Sequence, residues 1–143
     1  MDFETVGADE FGASLRGLGL NLVVRDVRRH VQLLTEIMGA EAFQVTDDFA
    51  IITYEGHILQ LHADHTYEKN PLLGVLSAVD TRGPGVEIHF FDTDPDAAVA
   101  LAEAHGLEIL QPPTDKPHGL REAFIIAPDG FVWVPSRPLE AAS

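Results

Sequence analysis

Gln60 with His62, and Glu87 with His89, are two pairs of polar residues, each pair two apart within a run of β-forming residues. Side chains at i and i+2 on a strand point to the same side, so each pair presents both members to one surface. His62, Glu87 and His89 make up a two-histidine, one-carboxylate set of the kind that suits iron or zinc, although i and i+2 side chains start roughly 6.5 to 7 Å apart and must converge on an ion. Glu87 has a second use without a metal: a buried carboxylate pairs with a ligand amine or, with its proton affinity raised by burial, acts as a general base. His57 and His65 lie near His62 in sequence but fall in turns, where solvated histidines are ordinary. The absence of cysteine removes thiolate catalysis, disulfides and sulfur-ligated zinc.

The elements that must position these residues are legible from punctuation. Residues 86–91 form a β-rich run, after which Asp94 supplies an N-cap oxygen and Pro95 the first helical position. Ala97, Ala98, Leu101 and Ala102 recur at helical spacing and Gly106 stands where a left-handed cap ends a helix. Strands are predicted at 107–110, 121–126 and 131–134, with Pro112 and Pro113 breaking the chain after the first and Pro128-Asp129-Gly130 turning the last two as a hairpin. The order is βαβββ. Residues 18–24 alternate as a strand, Asp26 caps a helix with the apolar stripe Val27, Val31, Leu34 and Met38, Gly39 ends it, and strands follow at 42–46, 49–54 and 58–62. That order is βαβββ again. A shift of about 68 residues places Gly19 on Glu87, Asn21 on His89, Val23 on Phe91 and Asp26 on Asp94, so the chain is read as a structural duplication whose halves share shape and not a site.

The expected organisation is an N-terminal arm, 1–14, mobile or forming a strand on dimerisation; one domain, 15–137, built of units 15–63 and 85–137 with a connection 64–84; and a tail, 138–143. A single turn of helix is expected at 71–76. The chain has 143 residues, enough for one buried core, and 45% are hydrophobic without a run of membrane-spanning length. Residues 1–13 carry Asp2, Glu4, Asp9 and Glu10 instead of a basic stretch ahead of an apolar one, so a cytoplasmic location is expected. A formal net charge of −14 repels nucleic-acid phosphate and anionic lipid, which excludes both as partners. Arg25, Arg28 and Arg29 form a basic spot read as a solvated helix face.

Paired βαβββ units, with Val24-Arg25-Asp26 before the first helix, Ile37-Met38-Gly39 closing it and REAFIIAPDGFVWV at 121–134, resemble the vicinal oxygen chelate superfamily of glyoxalases, bleomycin-resistance proteins and extradiol dioxygenases. The resemblance covers about residues 16–137. It implies an α+β fold in which each unit is half of a curved mixed sheet, the two halves form a cup, helices lie outside, and ligand sits inside, often at a dimer interface. Metal-binding members place ligands at positions that are here Gly19, Gln60, Glu87 and Val134. Only Gln60 and Glu87 offer a side-chain ligand, and two are too few for a firm site. The resemblance is therefore to the branch without the usual metal ligands, with no cofactor expected and a displaced set of His62, Glu87 and His89 as the metal-binding alternative.

A metal-free cup facing Asn21, Gln60, His62, Glu87 and His89 inward, with Phe91 on its wall and Arg121 and Glu122 at its rim or paired across a strand edge, is a binding site for a ligand. Trp133, one before Val134, points to the opposite face and packs beneath a helix. The expected function is small-molecule binding of the bleomycin-resistance type, sequestering an amphipathic or cationic compound. The alternative is an enzyme: a metal-dependent lyase, isomerase or dioxygenase, or a metal-free proton-transfer enzyme with Glu87 as catalytic base. Open sheet edges and the family resemblance imply a homodimer.

Overall fold

The computed structural model describes residues 1–140. The C-terminal tail expected at 138–143 thus lies partly outside the described residues, and its first residue belongs to a strand. The chain divides into two compact units, one of Met1–Thr35 and Gly39–Ser77, the other from Ala78 onward together with Glu36–Met38. No helix among the described residues is long and apolar enough to cross a membrane.

The first unit contains helix α1 (Ala8–Ser14), strand β1 (Asn21–Val24), helix α2 (Val27–Met38), and strands β2 (Glu41–Phe43), β3 (Phe49–Tyr54) and β4 (His57–Ala63), followed by the short helix α3 (Leu72–Leu76). The sheet order is β1-β4-β3-β2, with β1 parallel to β4 and the other pairs antiparallel. The crossover helix makes the parallel pair possible, and its ends are set by the residues that signalled them. The Asp26 side chain accepts from the Arg29 N–H at 3.0 Å, and Gly39 takes φ 72°. Leu22, Val24, Ala50, Ile52, Leu61 and Ala63 alternate onto one sheet face and are all buried.

The second unit repeats the order with β5 (Glu87–Phe91), α4 (Pro95–Ala104), β6 (Glu108–Asp115), β7 (Leu120–Ile126) and β8 (Val132–Pro138). Its sheet runs β5-β8-β7-β6. Helix α4 is capped by the Asp94 carboxylate on the Asp96 N–H and lies against β6, β7 and β8. Ala98 and Ala102 have essentially no exposure on α4, and Ile88, Phe90, Ala123, Ile125 and Trp133 are buried on the helix-side face of the sheet. Trp133 is fully buried and meets the Phe90 ring edge-on at 6.3 Å, as its position next to Val134 requires.

Several boundaries differ from those expected, and strand β1, expected from residue 18, begins at Asn21. The N-terminal residues, read as a mobile arm or a strand, instead form α1 and fold onto the first unit. The Gln44 amide donates to Phe3 O at 2.8 Å and Val6 O at 2.9 Å, and the Phe3 ring lies 6.0 Å from Phe11 and 5.6 Å from Phe43. A seven-residue helix with one buried side chain, Phe11, leaves no periodic signal to read. Strand β2 stops at Phe43 because Gln44 takes φ 51°, outside the β region. Strand β6 continues through Pro112 and Pro113, which end neither strand nor pairing: β6 is an edge strand, where a missing N–H is tolerated, and the register shifts between Ile109 and Thr114. Strand β8 runs past Val134 to Pro138, paired with β5 and β7.

Candidate functional site

Each sheet has a face turned away from its buried apolar face, and the polar residues marked in sequence fall there. In the first unit Asn21 pairs with Gln60 and Val23 with His62 across β1 and β4, while Ile51 and Phe49 stand opposite Gln60 and His62 on β3. Strand alternation therefore gathers Asn21, Gln60 and His62 on one open face. The His62 ring meets Phe49 edge-on at 5.2 Å and Tyr67 at 5.8 Å. Its Nε2 is buried without a hydrogen-bond partner. Burial among these rings lowers the His62 pKa, which favours the neutral imidazole.

Two cavities open over this same face. One, about 450 Å³, is lined by Gln60, Ile58 and His57 from the sheet and by Phe3 and residues 14–20. The other, about 500 Å³, is lined by Phe43, Thr53 and Ile58 with Glu41 and Glu55 at its edge, and Phe3 borders both. The N-terminal segment is thus a wall of the space above the sheet. Gly19, at the first family ligand position, lines the first cavity and contributes only backbone.

In the second unit Glu87, His89 and Phe91 alternate onto the open face of β5, in register with Val132, Val134 and Ser136 of β8. His89 Nε2 is 3.4 Å from Glu87 Oε1, and the His89 ring stacks on Phe91 at 5.3 Å. The Glu87 side chain is 51% exposed, so it lacks the burial expected of a general base. Among the described residues no group of three or more His, Asp or Glu is arranged to hold a metal ion. His62 belongs to the first unit, Glu87 and His89 to the second.

Arg121 is not on this face. Its guanidinium donates to both Asp96 carboxylate oxygens, at 2.8 and 3.0 Å, and to Asp115 at 2.9 Å, so it clasps the start of α4 to the β6–β7 hairpin. The hydrogen bond from Arg121, reinforced by its charge, holds the Asp96 carboxyl below the usual range, and the two carboxylates push the Arg121 pKa upward. The expected ligand-binding role for Arg121 therefore gives way to a structural one, because strand alternation turns it to the helix side.

Its neighbour Glu122 does face the open side. Glu122 is 5% exposed and stands beside Ser136 in the β7–β8 register, in line with Phe91. Among the described residues its one polar partner is His118, whose Nε2 is 3.4 Å from Oε2. The Ser136 hydroxyl is fully buried without a hydrogen-bond partner. The hydroxyl leaves donor capacity unused at a buried point beside a carboxylate with a single long contact, a condition that a ligand group relieves. Sequence reading did not single out Ser136, Phe49, Tyr67 or the N-terminal wall. For Ser136 the signal was available, since it lies two after Val134 on a strand thought to end too early.

The two repeats share this arrangement. His62 and Ser136 hold the same place in their units, each on the last strand opposite the matching residue of the first, Val23 and Phe91. Both carry a buried polar atom without a partner. Phe49 and Glu122 flank them from the preceding strand.

Comparison with known proteins agrees with this architecture. The model of the Glyoxalase/Bleomycin resistance protein/Dioxygenase superfamily matches residues 18–134. A glyoxalase/bleomycin resistance protein/dioxygenase family enzyme from Burkholderia phytofirmans PsJN is similar in structure, with TM-score 0.68 and 18% identity over 84% of this chain and 96% of that one. A glyoxalase/bleomycin resistance protein/dioxygenase from Nocardioides gives 0.63 and 23% over 96% and 97%, and a glyoxalase-related enzyme from Fulvimarina pelagi gives 0.67 and 18% over 89% and 94%. No curated protein matches the sequence. Two βαβββ units with the crossovers, caps and final hairpin described above, matched by the family model over residues 18–134, establish that the chain belongs to the Glyoxalase/Bleomycin resistance protein/Dioxygenase superfamily.

Proposed function

We propose that the chain is a small-molecule-binding protein that retains an amphipathic, cationic compound on the open face of its second unit. The observation that carries this reading is the buried Glu122 carboxylate, with a single long contact to His118 and the partnerless Ser136 hydroxyl beside it. A buried anion of this kind is costly unless a cation or donor reaches it. A ligand amine supplies both, while the stacked His89 and Phe91 rings and the Glu87 carboxylate offer a surface for an aromatic body and a second anion. Half-exposed Glu87 fits ligand pairing better than proton abstraction.

The test is calorimetric titration with a panel of aromatic amines and their neutral acetylated counterparts. Amines are expected to bind and acetylated forms to bind at least tenfold more weakly, with the preference lost in E122Q. Equal affinity for both forms, or a preference that survives E122Q, overturns the reading. The working form proposed is a homodimer. Its support is that each sheet has two open edges, β1 and β2 in one and β5 and β6 in the other, which pairing would cover. Light scattering at micromolar concentration is expected to give twice the chain mass of 15.6 kDa, and the mass of a single chain refutes it.

A further inference from the structure

Residues 1–20 fall into parts that pack differently. In residues 1–15 only Phe11 is buried, and Phe3, Val6 and Leu15 are half-buried; residues 16–20 are exposed throughout, Leu18 fully. Within that exposed run Gly17 takes φ 76° and Gly19 has no side chain, so the run carries no packing and turns easily. Its far end is pinned, because Leu20 O accepts from the Gln60 N–H at 3.0 Å. At its near end the Arg16 Nη1 donates to Ala13 O at 2.7 Å and Leu15 O at 2.8 Å, which closes the C-terminus of α1 and ties Arg16 to the helix. Residues 1–16 are therefore one piece, and residues 17–19 are a pivot.

The hold of this piece on the sheet is narrow. The Phe3 ring joins Phe11 to Phe43 of β2, and the Gln44 side-chain amide donates to Phe3 O at 2.8 Å and Val6 O at 2.9 Å. The Gln44 N–H donates to Glu4 Oε2 at 3.2 Å. Gln44 itself sits at φ 51°, in the left-handed region that a residue with a side chain keeps only where its surroundings impose it. The groups that bond it, Phe3, Glu4 and Val6, all belong to the segment, so the strained turn after β2 and the docked segment hold each other in place. Helix α1 has seven residues, too few to persist in water without packing, so its docking and its folding are one event. Phe3 borders both cavities above the first sheet, and Ile58 of β4 borders both from the sheet side.

We propose that residues 1–16 are a hinged lid over the first sheet, with residues 17–19 as the hinge and Gln44 as the latch. Release of the latch melts α1, withdraws the Phe3 ring from between the two cavities, and opens them to solvent as one space. The sheet beneath stays folded, so the opening is local and lies below the free energy of global unfolding. Entry to the space is then set by the lid, and the side chains of the sheet act only after it opens. The device belongs to the first unit and is independent of amine binding on the second.

Hydrogen exchange of the full chain, followed by NMR, reads the lid directly. In wild type the α1 amides, among them the Phe11 N–H bonded to Gly7 O at 2.9 Å, are expected to exchange about tenfold or more faster than those of β3 and β4. Q44A removes two hydrogen bonds to the lid and should speed α1 exchange about tenfold or more, leaving β3 and β4 unchanged. The chain has no cysteine, so I58C supplies a single thiol beneath the lid. Its reaction with N-ethylmaleimide, followed by mass spectrometry, should be about tenfold faster in I58C/Q44A than in I58C. Exchange of α1 in step with β3 and β4 in wild type, acceleration by Q44A of all three elements or of none, or equal thiol rates in the two backgrounds overturns the lid and makes the segment a fixed part of the fold.

Discussion

Replacing Glu122 by glutamine separates the cost of the candidate site from its use. The side chain is 5% exposed, and its one polar partner among the described residues is a histidine at 3.4 Å. Leaving a buried polar group unsatisfied costs about 1–3 kcal/mol, and a carboxylate lies at or above the upper end. Glutamine keeps the shape and removes the charge. E122Q is therefore expected to be more stable than wild type by about 1–3 kcal/mol. For a domain of this size that is a rise in melting temperature of about 3–9 °C. The assay is urea unfolding followed by Trp133 fluorescence, with the slope compared between variants so that a shifted midpoint reads as stability alone. A saturating amine at a hundred times its dissociation constant should stabilise wild type by about 2.7 kcal/mol, and E122Q, bound tenfold or more weakly, by no more than about 1.4 kcal/mol. Destabilisation of E122Q by more than about 1 kcal/mol would show that the carboxylate completes a structural network, and the inference from its burial to a ligand role would be refuted.

Other expectations follow from the remaining titratable groups. Burial lowers the His62 pKa below its ordinary 6.5, so the unfolded chain binds more protons than the folded one as pH falls through 6.5. Stability should decline over that interval toward the depressed folded value, and H62F should flatten the decline; an unchanged pH profile in H62F, or a His62 NMR titration at or above 6.5, rejects the buried neutral imidazole. Asp96 has the opposite sense, because the Arg121 hydrogen bond lowers a carboxyl pKa. The contribution of that pair is fully present above the unfolded value near 3.8 and is lost as pH falls through the lower folded value, and R121M should remove this acid dependence without altering amine binding. If R121M instead abolishes amine binding while the melting temperature is kept, Arg121 acts on the ligand and its assignment to the helix side is wrong.

The repeat explains why so much of the fold was legible and so little of the site. Asp26 with Gly39, and Asp94 with Pro95 and Gly106, act through local hydrogen bonds and local dihedral angles, so each signal sits within a few residues of its effect. Strand parity is equally local, and it placed Asn21, Gln60, His62, Glu87, His89 and Phe91 on open faces and Trp133 on a buried one. Burial on those faces is decided at a distance. Glu87 and Glu122 are both glutamates on strands of the second unit and both face the open side, yet one is half exposed at the edge strand β5 and the other is enclosed on the inner strand β7, a difference that only the order β5-β8-β7-β6 creates. Strand alternation alone turns Arg121 and Glu122, adjacent in sequence, to opposite duties. The sheet order brings Ser136 beside Glu122, and its counterpart in the first unit brings His62 beside Phe49. A duplicated fold therefore repeats its positions without repeating its chemistry. At equivalent places one unit sets a neutral imidazole among aromatic rings and the other a hydroxyl beside a carboxylate.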